Sequence, residues 1–299
     1  MIGFLFAGQG SQYVGMGKDL YDSFPESKLI FQQAGDILGL DFKKLLFEGP
    51  QESLKPTSIS QPAILTVSIA AFEAFKARVD IRPAFAAGLS LGEYSALIAM
   101  GSLTFVDGLR LVQKRGQIMD LAVEKHPGRM AAVLDLPLDK IQEICRQSGA
   151  EVANINCPGQ AVISGKSSAV EAAMDLSLKS GAKRALNLEV SGAFHSSLMR
   201  EAADELRRVL EDVPMSEPLV PVISNYTARQ EWLVREIKEN LYFQMYSAVR
   251  WEESVRLMLS EGVNKFFEFG PGKVLKGLIR HIDSGVEVVT IEKKQDISN

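Results

Sequence analysis

The chain carries a serine inside a glycine-rich pentapeptide, residues 88–92, with the sequence Gly-Leu-Ser-Leu-Gly. A short apolar run precedes it and a helix-forming run follows, which is the context that a G-x-S-x-G nucleophile elbow requires. Ser90 would then stand at a helix N-terminus, where free N–H groups and the helix dipole favour an anion. The pentapeptide alone is equally compatible with a tight structural corner without chemistry.

A serine hydroxyl needs a neighbouring base, and the chain offers His126, His195 and His281. His126 precedes a proline at the end of a predicted helix, where a solvated cation is ordinary. The chain order of typical α/β-hydrolases, in which the histidine comes late, would favour His281. His195 lies where a loop of small residues meets a helix, and such a loop can aim an imidazole into a cleft. Local chemistry therefore favours His195, with His281 as the alternative.

Arg115 is out of place in the predicted helix over 105–125, because it falls on the apolar stripe of Leu111, Ile118 and Ala122. An unpaired buried charge is costly, so this guanidinium needs an anionic partner. One interpretation is an ion pair with an internal carboxylate, or a side chain that reaches back to the surface. The other is that Arg115 receives a substrate carboxylate, which guanidinium binds in a bidentate manner.

Composition narrows the function classes. The 299 residues are 46% hydrophobic and 23% charged, with a formal net charge of −4, so there is no general electrostatic case for nucleic acid or an anionic membrane. The two cysteines lack metal-ligand spacing, and their small number indicates a reducing compartment. We find neither a signal-peptide pattern nor 18 uninterrupted apolar residues. We therefore expect a cytoplasmic protein with no metal site.

Two glycine-rich loops could be mistaken for nucleotide sites. Residues 8–12 follow the first predicted strand, and their backbone N–H groups suit an anion-holding turn. The spacing is not G-x-G-x-x-G, because Tyr13 stands where the third glycine should be. Residues 270–273 likewise lack the spacing of a P-loop. We therefore predict no nucleotide cofactor at either loop.

Alternating strands and helices predict an α/β fold with a mainly parallel sheet covered by helices. Residues 127–190 follow the order β-α-β-β-α-β of a ferredoxin-like subdomain, inserted into a large domain of residues 1–126 and 191–299. A helix is predicted over 230–243, and the charged tail after Glu292 is predicted to fray. Residues 239–245 match a processing-protease recognition site used in expression work, by chance or by substitution, and we keep them in the fold.

Seven motifs stand in one order along the chain and together resemble the malonyl-CoA:acyl carrier protein transacylases of fatty-acid synthesis. The resemblance covers nearly the whole chain and implies a hydrolase-like α/β domain with an inserted ferredoxin-like subdomain. The motifs are residues 6–12 (Phe-Ala-Gly-Gln-Gly-Ser-Gln), 88–97 (Gly-Leu-Ser-Leu-Gly-Glu-Tyr-Ser-Ala-Leu), 113–119 (Gln-Lys-Arg-Gly-Gln-Ile-Met), 156–160 (Asn-Cys-Pro-Gly-Gln), 192–199 (Gly-Ala-Phe-His-Ser-Ser-Leu-Met), 249–254 (Val-Arg-Trp-Glu-Glu-Ser) and 268–272 (Glu-Phe-Gly-Pro-Gly).

The resemblance implies a role for each matching residue. Ser90 would accept the acyl group and His195 would act as its general base. Arg115 would pair with the free carboxylate of the malonyl group. The backbone N–H groups of Gln9 and Leu91 would form the oxyanion hole.

Three further positions complete the implied site. Met119 and Phe194 would contact the substrate, and the main-chain carbonyl of Gln244 would orient the histidine. The chain departs from the family pattern at Leu89, where histidine is usual, and at Ala7, where proline is common.

The implied reaction is ping-pong transfer of malonyl from malonyl-CoA to acyl carrier protein through a malonyl-serine ester. It requires no metal or redox cofactor, and we expect a monomer with no nucleic-acid or membrane partner. Three alternatives remain: a discrete acyltransferase that loads polyketide synthase carrier proteins, a serine esterase or thioesterase with a late histidine, and a non-catalytic interaction domain.

Overall fold

Two β-sheets organise the computed structural model, which describes residues 1–297. One sheet has six strands and the other has four. The strands are β1 (Ile2–Phe6), β2 (Phe85–Gly88), β3 (Arg129–Leu134), β4 (Glu151–Cys157), β5 (Gln160–Gly165), β6 (Arg184–Asn187), β7 (Val222–Ile223), β8 (Gln230–Glu231), β9 (Lys265–Phe269) and β10 (Glu287–Ile291).

Helices connect the strands and cover both sheets. Short 3₁₀ turns at Gln51–Leu54 and Ser197–Met199 supplement them. The helices are α1 (Lys18–Ser23), α2 (Pro25–Leu38), α3 (Phe42–Glu48), α4 (Thr57–Lys76), α5 (Leu91–Ala99), α6 (Phe105–Lys125), α7 (Leu138–Ser148), α8 (Ser167–Lys179), α9 (Arg200–Asp212), α10 (Val234–Gln244), α11 (Trp251–Ser260), α12 (Val274–Ile282) and α13 (Lys294–Ile297).

The six-stranded sheet has the order β10-β9-β1-β2-β7-β8, and only its last pair, β7 with β8, is antiparallel. β1 and β2 are short apolar runs buried along nearly their whole length, as expected for parallel strands covered on both faces. Phe6 pairs with Gly88 on one side and Phe269 on the other. The strands therefore end level, and the loops that follow them meet at one edge, where open α/β sheets bind ligands. The predicted α/β class is confirmed.

Helix α4 forms the centre of the large core. Its Phe72 and Phe75 pack against Phe4 of β1, with ring centroids 6.2 and 6.0 Å apart. By length and composition this helix could cross a membrane, but 83% of its apolar window is buried inside the protein. Its apolar character is therefore accounted for by core packing.

The four-stranded sheet is antiparallel, with the order β4-β5-β3-β6, and carries its own apolar core with α7 and α8. This is the strand order of a ferredoxin-like unit. Two backbone hydrogen bonds tie its edge to the large domain: Ile155 N–H to the Val249 carbonyl at 2.9 Å, and Val249 N–H to the Ala153 carbonyl at 2.8 Å. The limits 127 and 190 remain a prediction.

Two local predictions are wrong. Gln230–Glu231 lies in strand β8, because it pairs with β7, and helix α10 begins only at Val234. The tail does not fray over residues 293–297. There the Asp296 carboxylate accepts the N–H groups of Glu292 and Lys293 at 3.0 and 2.7 Å, and Ile297 is buried. Residues 298 and 299 lie outside the described part of the chain.

Candidate active site

The predicted elbow is a sharp turn between β2 and α5. Ser90 has φ 54° and ψ −101°, a backbone conformation that a non-glycine residue keeps only when its surroundings enforce it. The flanking glycines are required by space: a Cβ on Gly88 would clash with the backbone of Gly92, and one on Gly92 would clash with the Phe6 carbonyl. The turn is therefore both tight and strained.

Two side chains fix the backbone of Ser90. Its N–H donates to Oδ1 of Asn225 at 2.6 Å, and its carbonyl accepts from Nε2 of Gln244 at 3.0 Å. Asn225 also donates through Nδ2 to the Gly88 carbonyl at 2.8 Å. These bonds give side-chain partners to the polar backbone groups of the strained turn, as buried polar groups require.

The structure brings His195, and not His281, to the serine. Oγ of Ser90 lies 2.8 Å from Nε2 of His195, and Nδ1 of His195 lies 2.8 Å from the main-chain carbonyl of Gln244. Because a carbonyl can only accept, Nδ1 carries the ring proton and the free Nε2 accepts the hydroxyl proton. His281 is exposed and bonds the Gly277 carbonyl within α12.

The imidazole of His195 is held neutral. Its burial, and then the positive charge of Arg115, lower its pKa to about 4. At neutral pH the ring is therefore ready to accept a proton from Ser90.

Arg115 is fully buried, at 0% exposure, and reaches the serine from α6. Its Nη2 donates to Oγ of Ser90 at 3.2 Å and to Oε1 of Gln244 at 3.1 Å. Its Nε and Nη1 have no hydrogen-bond partner within residues 1–297. The guanidinium lies 5.1 Å from the ring centroid of Tyr94, whose π face attracts a cation. The N–H groups of Nε and Nη1 are thus available to bind an anion.

The two residues predicted to form the oxyanion hole each follow a strand of the six-stranded sheet. Gln9 lies three residues after β1, and Leu91 is the first residue of α5, three residues after β2; because β1 and β2 are parallel and end level, both residues lie at the same edge of the sheet. Oε1 of Gln9 accepts from Nε2 of Gln61 at 3.2 Å, and the same Nε2 lies 3.3 Å from the sulfur of Met119. Gln61 therefore links a predicted oxyanion residue to a predicted substrate-contacting residue.

The remaining predicted positions are buried near this cluster. Phe194, which precedes His195, is 4% exposed, and Gln244 ends helix α10. Residues 239–245 thus belong to the fold, with Leu241 and Tyr242 buried. Within residues 1–297, no group of three or more His, Cys, Asp or Glu side chains is arranged to hold a metal ion.

Comparison with known proteins identifies the family to which this chain belongs. Residues 3–292 match the acyl transferase domain family. A protein of Bacillus subtilis (strain 168) named malonyl CoA-acyl carrier protein transacylase is 46% identical over 301 residues, which cover 99% of this chain and 95% of that protein. The chain belongs to the malonyl CoA-acyl carrier protein transacylase family.

Solved structures of transacylases agree in fold. An acyl carrier protein S-malonyltransferase from Vibrio cholerae O1 biovar eltor has a TM-score of 0.96 at 40% identity, covering 99% of this chain and 98% of that one. A malonyl-transacylase solved with a type II PKS acyl-carrier protein has a TM-score of 0.97 at 38% identity, with coverage of 99% and 97%.

Three residues at this transacylase-family site were missed from the sequence: Glu93, Asn225 and Gln61. Glu93 offered a signal, since it is an acidic residue in the first turn of the helix that leaves the elbow. Asn225 follows β7 at the same sheet edge as the elbow, a position typical of site residues. Gln61 gave no signal, because it lies inside the apolar helix α4.

Proposed function

We propose that this chain transfers a malonyl group from malonyl-CoA to the phosphopantetheine thiol of acyl carrier protein, for fatty-acid synthesis. The observation that carries the proposal is the unsatisfied guanidinium of Arg115 beside the serine hydroxyl. A malonyl thioester presents both parts that this site lacks: a carbonyl for Ser90 and a carboxylate for Arg115. The names of the relatives support the same reaction.

In the first half-reaction, Oγ of Ser90 attacks the thioester carbonyl while Nε2 of His195 takes the hydroxyl proton. The Gln244 carbonyl, 2.8 Å from Nδ1, stabilises the imidazolium that forms. The carbonyl oxygen becomes negative and is bound by the N–H groups of Gln9 and Leu91. A preorganised donor of this kind is worth about 3 kcal/mol. The C–S bond then breaks, and His195 returns the proton to the departing thiolate of coenzyme A.

In the second half-reaction the roles repeat with a new nucleophile. His195 takes the proton of the phosphopantetheine thiol, and the sulfur attacks the malonyl ester. Collapse of the second tetrahedral intermediate breaks the ester C–O bond, and His195 returns the proton to Ser90. Because the steps exchange a thioester for an ester and back without transfer of electrons, the proposed reaction uses no redox cofactor. It also uses no metal, since the N–H groups of Gln9 and Leu91 stabilise the oxyanion and His195 transfers the protons.

Arg115 gives the proposed selectivity for malonyl over acetyl groups. The N–H groups of Nε and Nη1 have no partner and are free to donate charge-assisted hydrogen bonds to carboxylate oxygens. An acetyl group has no carboxylate and leaves the buried charge unpaired, which costs transition-state stabilisation.

We further propose that the protein acts as a cytoplasmic monomer, without nucleic-acid or membrane partners.

A second candidate keeps the chemistry but changes the acceptor. The likeness to a transacylase bound to a type II PKS acyl-carrier protein favours a polyketide carrier protein as partner. Both acceptors present the same phosphopantetheine thiol, so the difference would lie in the docking surface rather than at Ser90.

The test is a transfer assay with malonyl-CoA and three acceptors: a holo fatty-acid carrier protein, a holo polyketide carrier protein, and an apo carrier protein as control. We expect malonyl transfer to the fatty-acid carrier, no transfer to the apo protein, and slow hydrolysis. Preference for the polyketide carrier would select the second candidate. Release of free malonate as the main product would contradict both and point to a thioesterase.

A further inference from the structure

Glu93 is a buried carboxylate that the mechanism above does not use. It lies in the first turn of α5 with 0% exposure. Its Oε2 accepts two hydrogen bonds of 2.9 Å each, from the backbone N–H of Asn225 and from Nε2 of Gln244. Burying a carboxylate is costly, and hydrogen bonds such as these two offset part of that cost.

The two donors to Glu93 are the same residues that hold the strained serine. Asn225 receives the Ser90 N–H, and Gln244 donates to the Ser90 carbonyl. Oε2 of Glu93 therefore binds both of the residues that hold the backbone of Ser90, which has φ 54°. A strained conformation persists only when its surroundings over-determine it.

Gln244 carries the same constraint to the other reacting groups. Its main-chain carbonyl binds His195 at 2.8 Å, and its Oε1 binds Arg115 at 3.1 Å. The position of this one residue thus affects the serine, the base and the guanidinium together. It is bound through Nε2 to Glu93.

We propose that Glu93 is the positioning residue of this site: its Oε2 aligns Asn225 and Gln244, and through them the Ser90 hydroxyl, His195 and Arg115. This inference rests on the proposed malonyl transfer for its readout. Glu93 touches no substrate in this account and acts through its two partners.

The role depends on a hydrogen-bond acceptor and not on charge. Burial raises the pKa of Glu93, and the hydrogen bonds from Asn225 and Gln244 and the charge of Arg115 oppose this rise. The charge of Glu93 in turn adds to the effect of burial in raising the pKa of the buried Glu231. A neutral side chain with an oxygen at the Oε2 position would serve equally, since Oε1 of Glu93 has no partner. Glutamine can supply that oxygen, and alanine cannot.

The experiment measures the rate at which malonyl-CoA acylates Ser90, by rapid quench and intact mass, in wild type, Glu93→Ala, Glu93→Gln and Asn225→Ala. Misplacement of reacting groups by about 1 Å can cost about 100-fold in rate. We expect about that loss in the maximal acylation rate of Glu93→Ala, with little change in the malonyl-CoA concentration that gives half of it, and recovery to within a few-fold in Glu93→Gln. The Glu93→Ala and Asn225→Ala losses should not add in the double variant, because both act on one network.

Glu268→Ala is the matched control, because Glu268 is a buried carboxylate, 1% exposed, that binds two backbone N–H groups of α12. We expect it to lose stability and keep its acylation rate. Near-wild-type acylation by Glu93→Ala, or equal losses in Glu93→Ala and Glu93→Gln, would overturn the proposal. If Glu93→Ala does not fold, an unchanged rate in Asn225→Ala overturns it instead. Failure of wild type itself to form the ester would instead refute the proposed function.

Discussion

Two turns of the six-stranded sheet have the same construction and different uses. β2 leads through residues 88–90 into α5, and β9 leads through residues 270–273 into α12. Each turn has glycines at or beside it, and each has a buried glutamate next to it that accepts two N–H groups: Glu93 in the first turn of α5, and Glu268 in β9. Burial raises the pKa of both carboxyls.

The difference lies in the sequence distance to the partners. Glu268 binds the N–H groups of Leu275 and Lys276, seven and eight residues further along, and so completes the N-terminus of α12. Glu93 binds Asn225 and Gln244, 132 and 151 residues away. A local partner stabilises one helix. A distant partner fixes the relative position of elements that must meet at Ser90.

The two turns also differ in the histidine near each of them and in which residues have positive φ angles. α12 carries His281, which is exposed and bonds its own helix, whereas His195 is buried against the elbow serine. The positive φ at the β9 turn falls on Gly270 and Gly272, which adopt it without strain. At the elbow it falls on Ser90. Of the two turns, the one at the candidate active site therefore has a strained backbone and hydrogen bonds to distant residues. The structural turn has glycines at its positive φ angles and hydrogen bonds to residues nearby in the sequence.

The largest expected effect separates the two histidines. His195→Ala should lower kcat for malonyl transfer by about 1,000-fold or more, because the serine loses its base. His281→Ala should keep kcat within about twofold, since surface changes away from such features are usually nearly neutral. Steady-state transfer to holo carrier protein measures both. Loss of activity in His281→Ala with retention in His195→Ala would reverse the comparison and favour a late-histidine hydrolase.

A smaller effect concerns stability at the β9 turn. Glu268→Ala should lower the free energy of unfolding by about 1–3 kcal/mol, because two N–H groups of α12 lose their acceptor. Urea unfolding at neutral pH measures this loss, with unchanged kcat as the companion result. A large fall in kcat in folded Glu268→Ala protein would show that the two turns are not separate in function.

The smallest expected effect concerns the pH dependence of kcat/KM on the acid side of neutrality. An imidazole with pKa 6.5 would be only about one-tenth neutral at pH 5.5, and kcat/KM would fall about tenfold. The pKa of His195 is lowered to about 4, so its neutral form, the base, persists to lower pH. We expect kcat/KM to change less than about twofold between pH 7.5 and 5.5. A midpoint near the ordinary histidine value would show that the imidazole is not desolvated as the structure indicates.

The contrast between local and distant partners also decides what could be predicted. The α/β fold, the elbow and the inserted ferredoxin-like unit follow from periodicity and glycine positions, because these are local signals. His195 is favoured over His281 by loop chemistry and by the resemblance of residues 192–199 to a known family, since its contact with Ser90 spans 105 residues and leaves no local signal.

The network around Glu93 could not be predicted, because nothing near residue 93 points to Asn225 or Gln244. The anomaly of Arg115 was visible as a charge on an apolar stripe, but its partners on other elements were not. Strand β8 was missed because its pairing with β7, rather than its own residues, makes it a strand. Positions defined by distant hydrogen bonds thus require the fold.

The proposed transfer requires that Ser90 accept a malonyl group whose carboxylate is bound by Arg115. Intact mass after brief mixing with malonyl-CoA or acetyl-CoA tests it most directly, in wild type, Ser90→Ala and Arg115→Ala. We predict a malonyl adduct on wild type, far less acetyl adduct, no adduct on Ser90→Ala, and loss of the malonyl preference in Arg115→Ala. Equal malonyl and acetyl adducts on wild type, or a malonyl adduct that persists in Ser90→Ala, would contradict the account.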